Sequence, residues 1–195
     1  MKYNPQIHHR RSIRLKGYDY SQVGAYFITI CCKDRECRFG KIVGASLADA
    51  QMELNEYGTI AYNEWIKLPE RFTNFELDVF QIMPNHMHGI ILLNDVGATL
   101  AVVPNNISGE NIALTEKSAG VNSAPTTIGN IVGAYKSLVA NACLEIFKMK
   151  NETMGKLWQR NFYEHIIGNE QSYQTISDYI INNPSKWNDD KFFME

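Results

Sequence analysis

Phe75-Glu76-Leu77-Asp78-Val79-Phe80-Gln81-Ile82-Met83 and His86-Met87-His88-Gly89-Ile90-Ile91-Leu92-Leu93 flank the pair Pro84-Asn85. In the first run Phe75, Leu77 and Val79 alternate with Glu76 and Asp78, the period-two pattern of a strand with one buried face. The second run is almost wholly apolar after its histidines, and Pro-Asn is a turn signal. The two runs predict an antiparallel hairpin. Upstream, Tyr26-Phe27-Ile28-Thr29-Ile30-Cys31-Cys32 is aromatic and β-branched and predicts a buried strand. Phe39-Gly40-Lys41-Ile42-Val43 suggests a short partner for it. Leu54, Tyr57, Ile60, Ala61, Trp65 and Leu68 fall at helical spacing, and Pro69 ends that helix.

Downstream, Thr126 or Thr127 can cap a helix whose stripe is Ile128, Ile131, Val132, Tyr135, Leu138, Val139, Ala142 and Ile146. Leu157 to Ile167 is a further strand candidate. Asn169 can cap a last helix carrying Tyr173, Ile176, Tyr179, Ile180 and Asn183, stopped by Pro184. In order these are strand, helix, strand, strand, helix, strand and a final helix. An α+β, ferredoxin-like plan accommodates that order: one antiparallel sheet, helices on one face, and the C-terminal helix in addition. The 195 residues suit a single domain spanning 1–195, with a basic arm over about 1–20 and a long aperiodic loop over about 95–124.

With 45% hydrophobic residues the chain can bury a core without staples. No run reaches the ~18 apolar residues of a membrane helix, and the opening residues lack the apolar run of a signal peptide, so a cytoplasmic protein is expected. Cys31, Cys32, Cys37 and Cys143 show no CxxC spacing and are expected to be reduced core thiols. The net charge of −2 conceals a polarity: residues 1–41 hold nine Lys or Arg against three acids, the remainder ten against eighteen. His8-His9-Arg10-Arg11-Ser12-Ile13-Arg14-Leu15-Lys16 is the densest basic segment, either a solvated arm or a phosphate contact.

His86-Met87-His88 is the sharpest chemical feature. Residues i and i+2 of a strand share a face, so both imidazoles project side by side, an arrangement suited to a divalent metal given a third ligand from elsewhere. On its own the same pattern describes two polar residues near a strand end. Tyr179 and Asn183 lie at i and i+4 of the last helix and share a face one turn apart. The Asn183 side chain there needs a polar partner, and a metal is one such partner. Spacing alone does not single out Tyr179 among ten tyrosines.

Resemblance does. His86-Met87-His88 after Met83-Pro84-Asn85, then Leu157-Trp158-Gln159-Arg160-Asn161-Phe162-Tyr163-Glu164-His165-Ile166-Ile167, then Asp178-Tyr179-Ile180-Ile181-Asn182-Asn183-Pro184, resembles the REP-associated tyrosine transposases of the HUH superfamily. Arg14-Leu15-Lys16-Gly17-Tyr18-Asp19-Tyr20 and Arg35-Glu36-Cys37-Arg38-Phe39-Gly40 look similar to family segments too, so the resemblance covers roughly residues 10–187 apart from the long loop. It implies metal-dependent nicking and joining of single-stranded DNA by a transposase or a domesticated repeat-associated relative, hairpin or repeat DNA being the partner of a monomer or homodimer without membrane attachment. Tyr179 would be the nucleophile, giving a 5′-phosphotyrosine. His86, His88 and the Asn183 amide oxygen would hold Mg²⁺ or Mn²⁺. Arg10, Arg11, Arg14, Lys16, Lys136 and Arg160 are candidate DNA contacts, and Trp158, Phe162 and Tyr163 candidate stacking platforms. The alternatives are a metal-dependent phosphoesterase in which water attacks, and a non-catalytic DNA-hairpin-binding module.

Overall fold

The computed structural model describes residues 17–44, 46, 49–72, 74–94 and 126–193. The basic arm with Arg10, Arg11, Arg14 and Lys16, and the whole of the 95–124 loop, lie outside the described residues. In chain order the elements are β1 (Gly24–Cys31), β2 (Gly40–Val43), β3 (Gln51–Leu54), α1 (Glu56–Ile66), β4 (Phe75–Ile82), β5 (His86–Leu93), α2 (Ile128–Met149), β6 (Tyr163–Ile167) and α3 (Glu170–Ile181). A 3₁₀ turn, Pro184–Asp189, follows α3.

The main sheet runs β4-β5-β1-β6 with every neighbouring pair antiparallel. With the β2–β3 ribbon set aside, this is the strand order of the ferredoxin-like plan, and the fold class is as expected. The β4–β5 hairpin pairs Phe75 with Leu93 through to Ile82 with Met87, with a register shift between Leu77 and Phe80. The Met83 N–H donates to the His86 carbonyl at 2.8 Å and closes the two-residue turn.

Strand alternation divides the core between two faces. Tyr26, Ile28 and Ile30 of β1 with Met87 and Ile91 of β5 pack against Ala61 and Trp65 of α1 and Ile131, Val132, Tyr135 and Val139 of α2. The Tyr135 hydroxyl donates to the Ala61 carbonyl at 3.1 Å, tying α2 to α1. Each fully buried large apolar side chain here contributes ~1.5–3 kcal/mol. On the opposite face Phe27, Ile90, Leu92 and Ile167 meet Tyr173, Ile176, Tyr179 and Ile180 of α3. Gly89 is required by the first face: a Cβ there would stand 2.8 Å from the Trp65 ring.

Helix ends follow the expected chemistry. Asn55, Thr127 and Asn169 each accept a first-turn N–H on a side-chain oxygen, from Gly58, Asn130 and Ser172 respectively. Three expectations need correction. Phe39–Val43 does not join β1; its β2 portion pairs with β3 as a separate ribbon, and β3 itself was not foreseen because Gln51-Met52-Glu53-Leu54 alternates over only four residues. Leu54 accordingly ends β3, and α1 starts at Glu56. Only Tyr163–Ile167 of the 157–167 segment is a strand, with Trp158 making one isolated bridge to Cys32. Cys31, Cys32 and Cys143 are buried free thiols as expected, whereas Cys37 is exposed. No helix among the described residues is long and apolar enough to cross a membrane.

The ribbon crosses the start of α1 closely enough to fix a residue type. A Cβ on Gly58 would lie 2.0 Å from the Phe39 carbonyl oxygen. Gly58→Ala should therefore cost about 2 kcal/mol net, because backbone overpacking exceeds the ~1 kcal/mol of helix propensity gained. Gly133→Ala, where nothing lies within 4 Å, should stabilise. Thermal unfolding of both variants checks this, and equal shifts of the same sign would refute the clash.

Candidate active site

β5 opens on His86, and alternation sends Met87, Gly89 and Ile91 towards α1 and α2 while His86, His88 and Ile90 face α3. Although the pair stands at the strand end, next to the turn, both histidines have 0% exposure. Register sets Cys31 beside His86 and Thr29 beside His88. Each ring is held through Nδ1: His86 by Asn85 Oδ1 at 2.8 Å, His88 by Thr29 Oγ1 at 2.8 Å. The two Nε2 atoms then face each other at 3.0 Å. Phe27 packs against His88 and Tyr179, with ring centroids 5.3 and 6.2 Å away.

α3 brings the tyrosine. Its N-cap and apolar stripe orient the helix so that the Tyr179 hydroxyl lies 3.1 Å from His88 Nε2 and donates to Asp190 Oδ2 at 3.2 Å. Asn183, one turn on and 1% exposed, donates through Nδ2 to the same Asp190 oxygen at 2.8 Å. Its Oδ1 is buried and has no hydrogen-bond partner among the described residues. Residues 187–193 cover the pair. The Phe192 and Trp187 rings sit 4.6 and 6.0 Å from His86, Asn85 Nδ2 donates to the Phe192 carbonyl at 2.8 Å, and Arg35 Nη1 donates to the Lys191 carbonyl at 2.9 Å.

Burial governs the electrostatics. It lowers the His86 pKa to about 4, with the Asp190 charge opposing and Lys191 and Arg35 adding to the shift. His88 is also well below the ordinary imidazole range, first through burial and then through His86. Burial, followed by the Asp190 carboxylate, raises Tyr179 above the usual phenol value. Cys31 is pushed up to about 11 by burial, so beside His86 it is a neutral thiol.

Two neutral imidazoles with Nδ1 anchored and Nε2 atoms 3.0 Å apart, together with the buried Asn183 Oδ1 that has no hydrogen-bond partner among the described residues, fit one divalent ion. Imidazole nitrogens with an oxygen donor are a ligand set for a divalent metal ion, and donors 3.0 Å apart can take adjacent positions around an ion at ligand distances of ~2.1 Å. His86, His88 and Asp190 also offer donor atoms within 4.8 Å of one another.

The lowered imidazole pKa values make stability depend on pH. As pH falls below ~6.5 the unfolded chain protonates its histidines while the folded pair stays neutral, so stability is intact above that value and declines towards about pH 4. For His86 the loss should be on the order of 2 kcal/mol by pH 5. Thermal unfolding in EDTA at pH 7, 6 and 5 reads it, and an unchanged midpoint across that range would contradict the buried neutral pair.

Of the residues singled out from the sequence, the structure brings His86, His88, Tyr179 and Asn183 together. Lys136 stands elsewhere: its Nζ donates to the carbonyls of Gln159, Arg160 and Asn161 at 2.6, 3.3 and 3.4 Å, which ties that segment to α2. Arg160 is exposed. Trp158 is buried and donates its Nε1–H to the Lys136 carbonyl, Phe162 packs against the core, and Tyr163 is exposed. Asp190, Asn85 and Thr29 were missed. Asn85 carried a signal, a turn asparagine directly before the histidines, but Asp190 follows the end of all periodicity.

No family model matches the chain. A protein of Haemophilus influenzae (strain ATCC 51907 / DSM 11121 / KW20 / Rd), described as uncharacterized, is 41% identical over 197 residues, covering 100% of this chain and 98% of the relative. A solved structure of a REP-associated tyrosine transposase bound to a REP hairpin superposes with a TM-score of 0.53 at 19% identity, covering 90% of this chain and 74% of that one. The chain belongs to one family with the H. influenzae protein, and it has the fold of that REP-associated tyrosine transposase.

Proposed function

We propose that this protein is a REP-associated tyrosine transposase that nicks and joins single-stranded DNA, with Tyr179 as nucleophile and a Mg²⁺ or Mn²⁺ ion held by His86, His88 and the Asn183 amide oxygen. The observation that carries the reading is the Tyr179 hydroxyl 3.1 Å from one of two buried imidazoles whose Nε2 atoms stand 3.0 Å apart. A fold shared with a transposase bound to a REP hairpin supports DNA, hairpin or repeat DNA in particular, as the partner.

Bound at this site, a divalent ion supplies Lewis-acid polarisation of a phosphodiester oxygen. The rest of the chemistry falls to the chain. The Tyr179 oxygen bonds to phosphorus, the bond from phosphorus to the 3′ oxygen breaks, and the phenolic proton ends on that oxygen as a 3′-OH. The 5′-phosphotyrosine conserves the phosphodiester bond, so a 3′-OH reverses the step without ATP. Half-buried and hydrogen-bonded to Asp190, the Tyr179 phenol keeps its proton until substrate arrives. Arg10, Arg11, Arg14 and Lys16 are proposed to track the phosphate backbone, with Arg160 as an exposed candidate; Lys136 acts by holding residues 159–161.

The test is incubation with labelled single-stranded DNA from the flanks of its own gene in Mn²⁺ or Mg²⁺, followed by denaturing electrophoresis. A slow-migrating protein–DNA adduct is expected. Cleavage without adduct would assign attack to water and make the protein a phosphoesterase. Binding without cleavage would leave a hairpin-binding module.

A further inference from the structure

Asp190 sits beyond α3 in the segment that covers the histidines. Its oxygens are divided. Oδ1 accepts the Phe192 main-chain N–H at 2.6 Å, and Oδ2 accepts from Asn183 Nδ2 at 2.8 Å and from the Tyr179 hydroxyl at 3.2 Å. An ionised carboxylate only accepts, so the Asn183 amide can meet it only through nitrogen. Oxygen is then the atom left over, and it is the buried Oδ1 without a hydrogen-bond partner among the described residues.

We infer that Asp190 is a positioning residue that fixes the Asn183 amide with its oxygen free for the divalent ion and holds the Tyr179 hydroxyl in the same network. The inference rests on the metal reading above and adds to it the residue that decides which end of the amide is offered. It also makes the C-terminal segment a constituent of the site as well as its cover. An orienting group of this kind acts through the ligand it holds, not on the ion.

Asparagine at this position should be disruptive despite its matching shape. In Asp190→Asn the Phe192 N–H claims the new amide oxygen, which turns the new NH₂ towards Asn183. Asn183 must answer with its oxygen and rotate its own NH₂, which ligates no metal, into the vacated place. A ligand is lost without any change of volume.

The experiment is calorimetric titration of the full chain with Mn²⁺ in the absence of DNA. Asp190→Asn and Asn183→Ala should each weaken binding by roughly tenfold or more, the usual effect of losing an orienting partner or its ligand. Because both act through one amide, the double variant should bind no more weakly than Asn183→Ala alone. Asp190→Asn combined with Asn183→Asp should recover wild-type affinity to within about threefold, since a carboxylate presents an oxygen in either orientation. That rescue also separates positioning from lost folding, which a second change at the same contact would not repair. Wild-type affinity in Asp190→Asn, multiplying losses in the Asn183→Ala double variant, or failure of the rescue would each overturn the role. Wild-type protein that takes up no Mn²⁺ would overturn the metal reading and this role with it.

Discussion

Tyr179→Phe should abolish the covalent protein–DNA adduct and strand joining, and leave DNA binding intact. The ring stays, so its contacts with Phe27 and His88 persist, and the hydroxyl's hydrogen bonds to His88 and Asp190 are the whole loss. Their removal should cost on the order of 1 kcal/mol of stability. A true nucleophile has no substitute, so adduct should fall below detection on denaturing gels, at least a thousandfold as judged from single-residue knockouts of other covalent catalysts. The same variant separates the mechanisms: water-driven hydrolysis would continue. An adduct surviving in Tyr179→Phe would move the nucleophile to another tyrosine.

Replacing either histidine with alanine should remove Mn²⁺ uptake and DNA cleavage together, and should also destabilise the fold. The second effect is larger than a strand-end position suggests, because both side chains have 0% exposure. His88→Ala empties a cavity beneath Phe27 and Tyr179, strands the Thr29 hydroxyl and leaves the Tyr179 hydroxyl with only its bond to Asp190. Cavity and orphaned polar groups together should cost ~2–4 kcal/mol, or very roughly 5–15 °C in melting temperature for a domain of this size. Metal affinity is measured at a temperature well below the lowered midpoint. Retention of full cleavage by either variant would take the pair out of the mechanism.

The contrast between those two predictions shows what the chain declares openly. The hairpin, the capped helices α2 and α3 and the side-by-side imidazoles all follow from local periodicity, since a period of two or 3.6 is written in neighbouring residues. Tyr179 lies on α3 as that periodicity predicts, whereas α3 ends at Ile181 and Asn183 stands just beyond it, at the start of the 3₁₀ turn, and the choice of both rested on resemblance. Long-range contacts are not written so. The burial of His86 depends on Phe192 and Trp187, over a hundred residues away in the chain, closing over it. Asp190 reaches Tyr179 and Asn183 only because the 3₁₀ turn Pro184–Asp189 folds the chain back, and no spacing rule foretells that return. The β2–β3 ribbon was missed for the opposite reason: four residues of alternation are too few to outweigh a helical stripe that shares Leu54.

The facing imidazole nitrogens raise a question of proton inventory. Two bare nitrogens 3.0 Å apart would set lone pair against lone pair, so one of them carries hydrogen. Asn85 decides which. Its Nδ2 is committed to the carbonyls of Arg35 and Phe192, so its Oδ1 takes a proton-bearing Nδ1 from His86, and neutral His86 has none left on Nε2. The shared hydrogen therefore belongs to His88 Nε2, and Thr29 donates to His88 Nδ1. For both rings to ligate a divalent ion through Nε2, His88 would have to give up that hydrogen there, and it could keep it by changing tautomer to Nδ1. Thr29 then needs only to rotate its hydroxyl from donor to acceptor, which valine could not do. Binding and release of an ion would thus exchange one tautomer for the other, and the proton would stay inside the site.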